Sequence, residues 1–428
     1  MKHTEMGSIP ENWELLKFGD LLSEPTRNGI YKPKDFHGHG VKIINMGELF
    51  GYARIAQQPM KRIDLTSKEV EKFEVRKGDL LFARRSLVAE GAGKCSIVEL
   101  NGEKRVFESS IIRARLDFKK YNPEFYFYFF RSEIGLHQLD TIRRQVAVAG
   151  ITGSDLISLT VPVPPLPEQT SIVKILSNLD KKIELNQKMN KTLEAIAQAI
   201  FKHWFIDFEF PNEEGKPYKS SGGEMVDSEL GEIPKGWKIG YLGDLLNIRR
   251  EHCDPSQETR TLPYVPIDCI SKRSLMLTDH KPGEEARSSL IKFHKFDIIF
   301  GAMRPYFHKV CIAPFEGTTR TTAFVFYPKD LNDYAFLVLT VFSERTIKYA
   351  NLNSTGSTIP YAAWENSLET MPIVIPFTAV RHNFNKIIVN MLISIGEYLP
   401  NQIVTLKNIR DSLLPKLMSG KIRVPLED

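Results

Sequence analysis

From Glu168 to Phe205 apolar side chains recur by alternating steps of four and three, at Ile172, Leu176, Leu179, Ile183, Leu193, Ala197, Ile200 and Trp204, with no interior Pro or Gly. That spacing is the narrow seam of a coiled coil, not the wider stripe of a helix packed on a globular core. The same step places Asn186 and Asn190 in the seam, where an amide costs stability and fixes register and partner. At about 1.5 Å per residue the helix is roughly 50 Å long, more than one small domain can bury. A second stretch, Ala379 to Met418, supplies a mate: Phe384, Ile388, Met391, Ile395 and Tyr398, then Leu406, Ile409, Leu413 and Leu417. Pro400 interrupts it and predicts a kink with a shift in the phase of the stripe.

The chain repeats itself once. Residues 7–22 read GSIPENWELLKFGDLL and residues 231–246 read GEIPKGWKIGYLGDLL. A period this long means duplicated domains and not a solenoid. Val41 to Met46 lines up with Pro263 to Ile267, and Arg76 to Phe82 with His294 to Phe300. Each pairs a turn with a short apolar run, the pattern of a buried strand. Both copies leave through a Pro-bounded apolar exit, Val161 to Pro165 and Met371 to Pro376, and a long helix follows each. Helices so placed are expected to pair antiparallel. Pro211 to Leu230, rich in Gly, Ser, Pro and charge, reads as a linker.

The expected fold class is α+β: two α/β-mixed domains separated by an antiparallel two-helix coiled coil, with a pseudo-twofold internal repeat. The boundaries are 1–164, helix 165–210, linker 211–230, 231–376, and helix with tail 377–428.

Of the 428 residues, 42% are hydrophobic and 25% charged, which allows several large cores and excludes wholesale disorder. The net charge of +5 leans toward an anionic partner. Cys95, Cys253, Cys269 and Cys311 form no C-x-x-C pair and read as reduced, buried thiols of a cytoplasmic protein. The polar start MKHTEMGSIPENW has no signal-peptide core, and no apolar run is long enough to predict a membrane span. Phe125 to Phe130 (FYFYFF) is expected in a core.

No catalytic set emerges, and no metal site. Gly91 to Lys94 lacks the first Gly of a phosphate-binding loop and reads as a surface turn. Asn122-Pro-Glu-Phe125 reads as a helix N-terminus. Asp79 and Asp297 could suggest nuclease carboxylates, but turn residues at the start of a strand are the better reading.

A different signal recurs in both copies. Beyond the matched strand stand Arg84 and Arg85 in the first and Arg304 in the second. Lys94, Ser109 and Arg113 are matched roughly by His308, Lys309, Arg320 and Thr321. A second loop near each exit brings Arg143, Arg144, Gln145 and Thr152, and then Ser357 and Thr358. Such residues suit base edges and phosphates: Arg for guanine, Gln for adenine, hydroxyls and lysines for phosphate. The competing reading is a solvated face or structural ion pairs.

Through the repeated I-P-x-x-W start, PLPEQTSIVKILSNLD at 165–180 and AIFKHWFIDFEFP at 199–211, the chain bears a resemblance to the specificity subunit of a type I restriction–modification system. It continues in PYKSSGGEMVDSELGEIPKGW and in LLPKLMSGKIRV at 413–424, so it spans the whole chain. The second exit, IPFTAVRHNFNKII, departs by lacking the P-x-x-E-Q of Pro165 to Gln169. The resemblance implies two target-recognition domains, each reading one half of a split, asymmetric site in double-stranded DNA. The helices then act as ruler and docking post, their seam residues Ile172, Leu176, Leu179, Ile183, Asn186, Asn190, Leu193 and Ile200 facing Ile388, Met391, Ile395, Leu406, Ile409 and Leu413. It also implies no catalysis and no cofactor in this subunit. S-adenosylmethionine, ATP and Mg belong to its partners: two modification subunits that methylate adenine, and restriction subunits. The rival is a catalytically silent scaffold or decoy that uses the same helices.

Overall fold

The computed structural model describes residues 1–4, 7–99, 102–144, 149–356 and 358–425. They form two compact units, Met1–Asp180 with Asn408–Asp428, and Lys181–Lys407.

In the first unit, five strands make the central sheet: β1 (Leu22–Asn28), β2 (Arg54–Ile55), β3 (Leu80–Ala83), β4 (Cys95–Val98) and β5 (Ile111–Leu116). Their order is β1-β5-β3-β4-β2, antiparallel except where β2 joins β4. All four residues of β3 are buried, as the apolar run predicts. A three-stranded sheet of Arg105–Phe107, His37–Ile44 and Lys61–Ile63 stands beside it. The aromatic run becomes α1 (Pro123–Phe129), with Phe125 to Phe129 all buried. Asn122 caps it by accepting from the Glu124 N–H at 3.0 Å, and Pro123 sits where no N–H is needed.

The second unit repeats the arrangement. Strands β6 (Leu246–Ile248), β7 (Ile298–Gly301), β8 (Val310–Ile312) and β9 (Ala323–Pro328) lie in the order β6-β9-β7-β8. That is the order of β1-β5-β3-β4, again antiparallel. In each unit the strand after the I-P-x-x-W start pairs with the exit strand: Glu14–Lys17 with Thr160–Val163, and Lys238–Tyr241 with Pro372–Ile375. The expected strand at Pro263 to Ile267 is not formed; only Tyr264 makes bridges there. Pro263 and Pro266 have no N–H to give a ladder. The first exit leads into α2 (Leu166–Phe205), and in the second unit α3 (Tyr334–Phe342) is buried at every residue.

The two Asp residues share one job. Asp79 accepts from the Arg76 N–H at 2.7 Å, and Asp297 from the His294 N–H at 2.8 Å. Each closes the turn before its strand and is buried against an arginine, Arg115 for Asp79 and Arg249 for Asp297. The residue before each Asp has positive φ: Gly78 at 87° and Phe296 at 70°. Glycine takes that conformation freely, whereas Phe296 holds it at a cost of about 1 kcal/mol or more.

Helix α2 runs unbroken from Leu166 to Phe205. Along the expected seam Ile172, Leu176, Ile183, Asn186, Asn190, Ala197 and Trp204 are buried, and Leu179, Leu193 and Ile200 half-buried. The return consists of α4 (Thr378–Ile393), a π-helical turn at Ser394–Tyr398, and α5 (Leu399–Met418). The Leu399 N–H bonds back to the Ser394 carbonyl, so the wide turn lies immediately before Pro400, whose ring cannot fit an ordinary one. Gly396 is required there, because a Cβ would meet Ile312 Cγ2 at 2.5 Å.

The π turn re-phases the stripe. Ile388, Leu392, Ile395, Leu399 and Ile403 are fully or almost fully buried, whereas Met391 is half-buried and Tyr398 is 57% exposed. Leu406 and Leu413 are half-buried. Ile409, expected in the seam, is 42% exposed; the inward turn falls on Arg410, whose Nη1 reaches Asp180 at 2.8 Å.

Within the second unit Asn186 Nδ2 donates to Gln402 Oε1 at 3.0 Å, and Phe205 meets Phe384 with ring centroids 4.8 Å apart. Numbers rise on one helix as they fall on the other, so the pair is antiparallel. Asn190 does something else. It donates to Glu194 Oε1 at 2.9 Å, and that buried carboxylate also accepts from Ser274 Oγ and the Leu275 N–H. By length and composition alone Thr378–Met418 could cross a membrane, but its apolar residues are used in these two units' cores.

The P-x-x-E-Q phrase anchors the first unit. Glu168 is buried, accepts from Trp13 Nε1 at 3.0 Å and pairs with Arg423 at 2.9 Å. Gln169 bridges the Asn122 N–H and the Pro164 carbonyl, each at 2.8 Å. The second exit lacks this pair, and Trp237 Nε1 is buried with no acceptor among the described residues. The linker composition of 211–230 conceals a packed segment: Tyr218 stacks on Phe210 at 4.6 Å, and Phe210 on Trp237 at 4.8 Å.

Candidate nucleic-acid interface

In each unit one turn leaves the end of the central strand and is clamped by two loops. In the first unit the Arg84 N–H donates to the Ser110 carbonyl at 2.8 Å, and the Arg84 carbonyl accepts from Ile151 at 3.0 Å. In the second, the Ala302 N–H donates to Thr322 at 3.0 Å and its carbonyl accepts from Ala362 at 2.9 Å. Arg85 then bridges Gly150, and Met303 bridges Tyr361. The structure therefore brings together Arg84, Arg85, Ser109, Arg144 and Thr152 in one unit, and Arg304, Thr321 and the loop before Tyr361 in the other.

The gathered side chains are not equally available. Arg85 is exposed and has no acidic partner among the described residues. Arg84 is half-buried, with Nη1 3.4 Å from the Ser109 carbonyl. Arg144 is exposed but pairs with Asp155 at 2.9 Å. Thr152 caps the helix Gly153–Ile157, accepting from the Asp155 N–H at 3.1 Å. The Thr152 hydroxyl and then Arg144 hold the Asp155 carboxyl below its usual range. In the second unit Arg320, Thr321 and Thr358 are exposed. The Tyr361 hydroxyl donates to the Thr321 carbonyl at 2.6 Å.

Five of the sequence candidates serve the fold instead. Lys94 Nζ donates to the Phe50 carbonyl at 2.9 Å, and Lys309 Nζ to Ile267 at 2.7 Å. These lysines are equivalent, since the Ala83 N–H donates to the Lys94 carbonyl and the Gly301 N–H to that of Lys309. Burial, then Arg131, lowers the Lys94 ammonium. Arg113 is buried between Glu24, at 2.8 Å, and the Glu74 carbonyl, at 2.7 Å. Arg143 pairs with Asp140 and donates to the Ala92 carbonyl at 3.1 Å, its side chain almost covered. His308 is buried, with Nε2 2.8 Å from the Phe342 carbonyl. Gln145 and Ser357 lie outside the described residues. The Gly91–Lys94 turn, expected at the surface, has Ala92 and Gly93 buried. Cys253 is half-buried, while the other three thiols are buried and none is paired.

Arg304 stands out by backbone. It and His308 are both left-handed, at φ 53° and 51°, flanking a tight turn at Pro305–Phe307. Such a conformation costs a residue other than glycine on the order of 1 kcal/mol, and it persists only where the surroundings enforce it. Here the Arg304 N–H is held by the Pro360 carbonyl at 2.8 Å, and the His308 N–H by Pro305 at 2.8 Å. Arg304 Nε is buried without an acceptor among the described residues.

Sequence reasoning missed the apolar members of these turns. Leu87 is 91% exposed, Val88 63% and Tyr306 48%. An apolar residue just past a buried strand reads as more core, and only the turn reveals otherwise. An exposed guanidinium offers a planar fork for two acceptors, which suits a base edge or a phosphate. Among the described residues no His, Cys, Asp and Glu group could hold a metal.

The family described as type I restriction modification DNA specificity domain matches residues 10–195. The MjaIX specificity subunit of a type I restriction enzyme from Methanocaldococcus jannaschii is 28% identical, over 99% of this chain and 96% of its own. The HindI specificity subunit from Haemophilus influenzae is 23% identical, over 96% of this chain and all of its own. The crystal structure of a type I restriction–modification S subunit from M. genitalium shares the fold, with a TM-score of 0.59 at 15% identity, covering 100% of this chain and 99% of that one.

Proposed function

We infer that this chain, which belongs to the type I restriction–modification DNA specificity family, recognises DNA sequence for a restriction–modification complex and carries out no catalysis itself. Each recognition unit reads one half of a split, asymmetric site in double-stranded DNA. The observation that carries this is the duplicated clamp: at the same place in two copies of one sheet, a turn carries an arginine without a carboxylate partner among the described residues, exposed in the first copy and half-buried in the second, beside small hydroxyls. The copies share their strand order but not the residues on their turns, so the two half-sites differ. Phosphate contacts by exposed cations add affinity that falls with salt.

The antiparallel pair of α2 with α4 and α5 sets the spacing between half-sites and docks two modification subunits. Restriction subunits complete the assembly. S-adenosylmethionine, ATP and Mg act on those partners, in the cytoplasm. Filter binding of the assembled complex at two salt concentrations, with mapping of methylated sites, tests the reading. Salt-dependent, sequence-selective binding and a two-part methylated motif are expected; binding that ignores sequence would end it. Replacing residues 1–160 with another domain of the kind should change one half-site only, and a change in both would refute independent reading.

A further inference from the structure

We propose that Arg85 with Leu87 in the first unit, and Arg304 with Tyr306 in the second, determine the base sequence of the two half-sites, an inference that rests on the DNA-recognition reading above. Of the basic residues gathered at the two clamps, Lys94, Lys309, Arg113 and Arg143 spend their donors on carbonyls and carboxylates of the fold. Arg144 is paired with Asp155. Arg84 and Arg320 also lack a carboxylate partner among the described residues, but Arg84 Nη1 lies 3.4 Å from the Ser109 carbonyl and Arg320 ends a paired strand. Arg85 and Arg304, equally without a carboxylate among the described residues, stand on the turns themselves, and a guanidinium is the group best matched to guanine O6 and N7.

The backbone holds these arginines firmly. Arg85 is fixed by its bridge to Gly150, and the next bend is tied by Ser86 Oγ, which accepts from the Val88 N–H at 3.1 Å. Arg304, one position further along the equivalent turn, is locked in its left-handed conformation by Pro360. The far end of that turn is anchored by His308 on Phe342, with ring centroids 4.6 Å apart, and by Lys272 Nζ 4.1 Å from the Phe307 ring. A guanidinium on a fixed turn loses less freedom on binding than one on a loose loop.

The apolar neighbours complete the assignment. Scattered exposed leucines need no explanation, but Leu87 stands almost fully in water two residues from Arg85, and Tyr306 stands two residues from Arg304. An arginine beside an apolar tip can take guanine with one group and a thymine methyl, or the face of a base, with the other. Each turn thus has the means to read two adjacent base pairs.

The test uses the complex of this chain with its own modification subunits. Arg304→Gln and Tyr306→Ala, and separately Arg85→Gln and Leu87→Ala, are scored by the methylated motif and by competition with duplexes carrying single base changes. Each second-unit variant should relax one position of one half-site and weaken the cognate duplex roughly tenfold to a hundredfold. The other half-site should stay as it was, and the first-unit variants should do the converse. Should Arg304→Gln unfold, Arg304→Lys keeps the charge, loses the fork and should relax the same position. An unchanged motif overturns the proposal. So does a uniform loss on all duplexes with a salt slope reduced by about one, the mark of a phosphate contact. A parent complex with no two-part motif would instead overturn the recognition reading itself.

Discussion

At the scale of single residues, the basic side chains of the clamps divide by what their donors touch. Lys94 and Lys309 look alike from outside, and the repeat aligns them, but each is bonded to a carbonyl more than forty residues back in the chain, Phe50 or Ile267. Their role is to tie a loop to the sheet. Lys94→Met and Lys309→Met should each lower stability by about 1–2 kcal/mol through the carbonyl left unpaired. Urea unfolding reads this. The salt slope of DNA binding should stay the same; a slope reduced by about one per substitution would return both lysines to the interface. The sequence shows that a lysine follows a strand, because strand patterns are local. It does not show which carbonyl the ammonium meets, because that partner arrives from elsewhere in the fold. Asp79 and Asp297 were legible for the opposite reason: the turn they close lies within three residues.

Among the elements, the long helices were legible over most of their length because a seam repeats every 3.5 residues wherever the backbone is regular. The reading failed where the backbone changes. Pro400 announces an interruption, but not that a π turn at Ser394–Tyr398 inserts an extra residue before it. Leu392, just before that turn, lies inward in place of Met391, and Ile409, three turns of helix beyond it, faces outward. Leu392→Ala should cost about 2–5 kcal/mol. Ile409→Lys should stay within about 0.5 kcal/mol of the parent, and a cost comparable to that of Leu392→Ala would restore Ile409 to the seam. Asn186 makes a separate point. Its Nδ2 reaches Gln402, while its Oδ1 is buried with no partner among the described residues. Asn186→Leu should raise stability by about 1 kcal/mol or more, at the expense of register. A lower unfolding midpoint would show that the amide stabilises the pair. Asn190 shows how far a seam pattern can mislead. Its position was correctly inward, yet it serves the loop at Ser274, not the other helix.

For the whole molecule, the duplication was legible because both copies keep the same start, the same turn before the central strand and the same exit. Where they drifted apart the sequence misled: Pro263 and Pro266 abolish a strand that Val41 to Ile44 form, and aromatic stacking orders a segment whose composition is that of a linker. What both copies retain is a sheet with a clamped turn and a long helix after the exit, and the helix residues 181–187 and 401–407 contribute to neither unit's core cluster. Those residues are where a ruler can be tested. Deleting 181–187 from α2 together with 401–407 from α5 removes one heptad from each helix and leaves the seam in step. About 10 Å of helix is lost, equivalent to about three base pairs at 3.4 Å each. The methylated motif should keep both half-sites and shorten its spacer by about that number, because the turns that read bases are untouched. A shorter spacer with altered half-sites would mean that helix and clamp are not independent. An intact motif with its original spacer would remove the helices from any part in setting distance and leave them only as a docking surface.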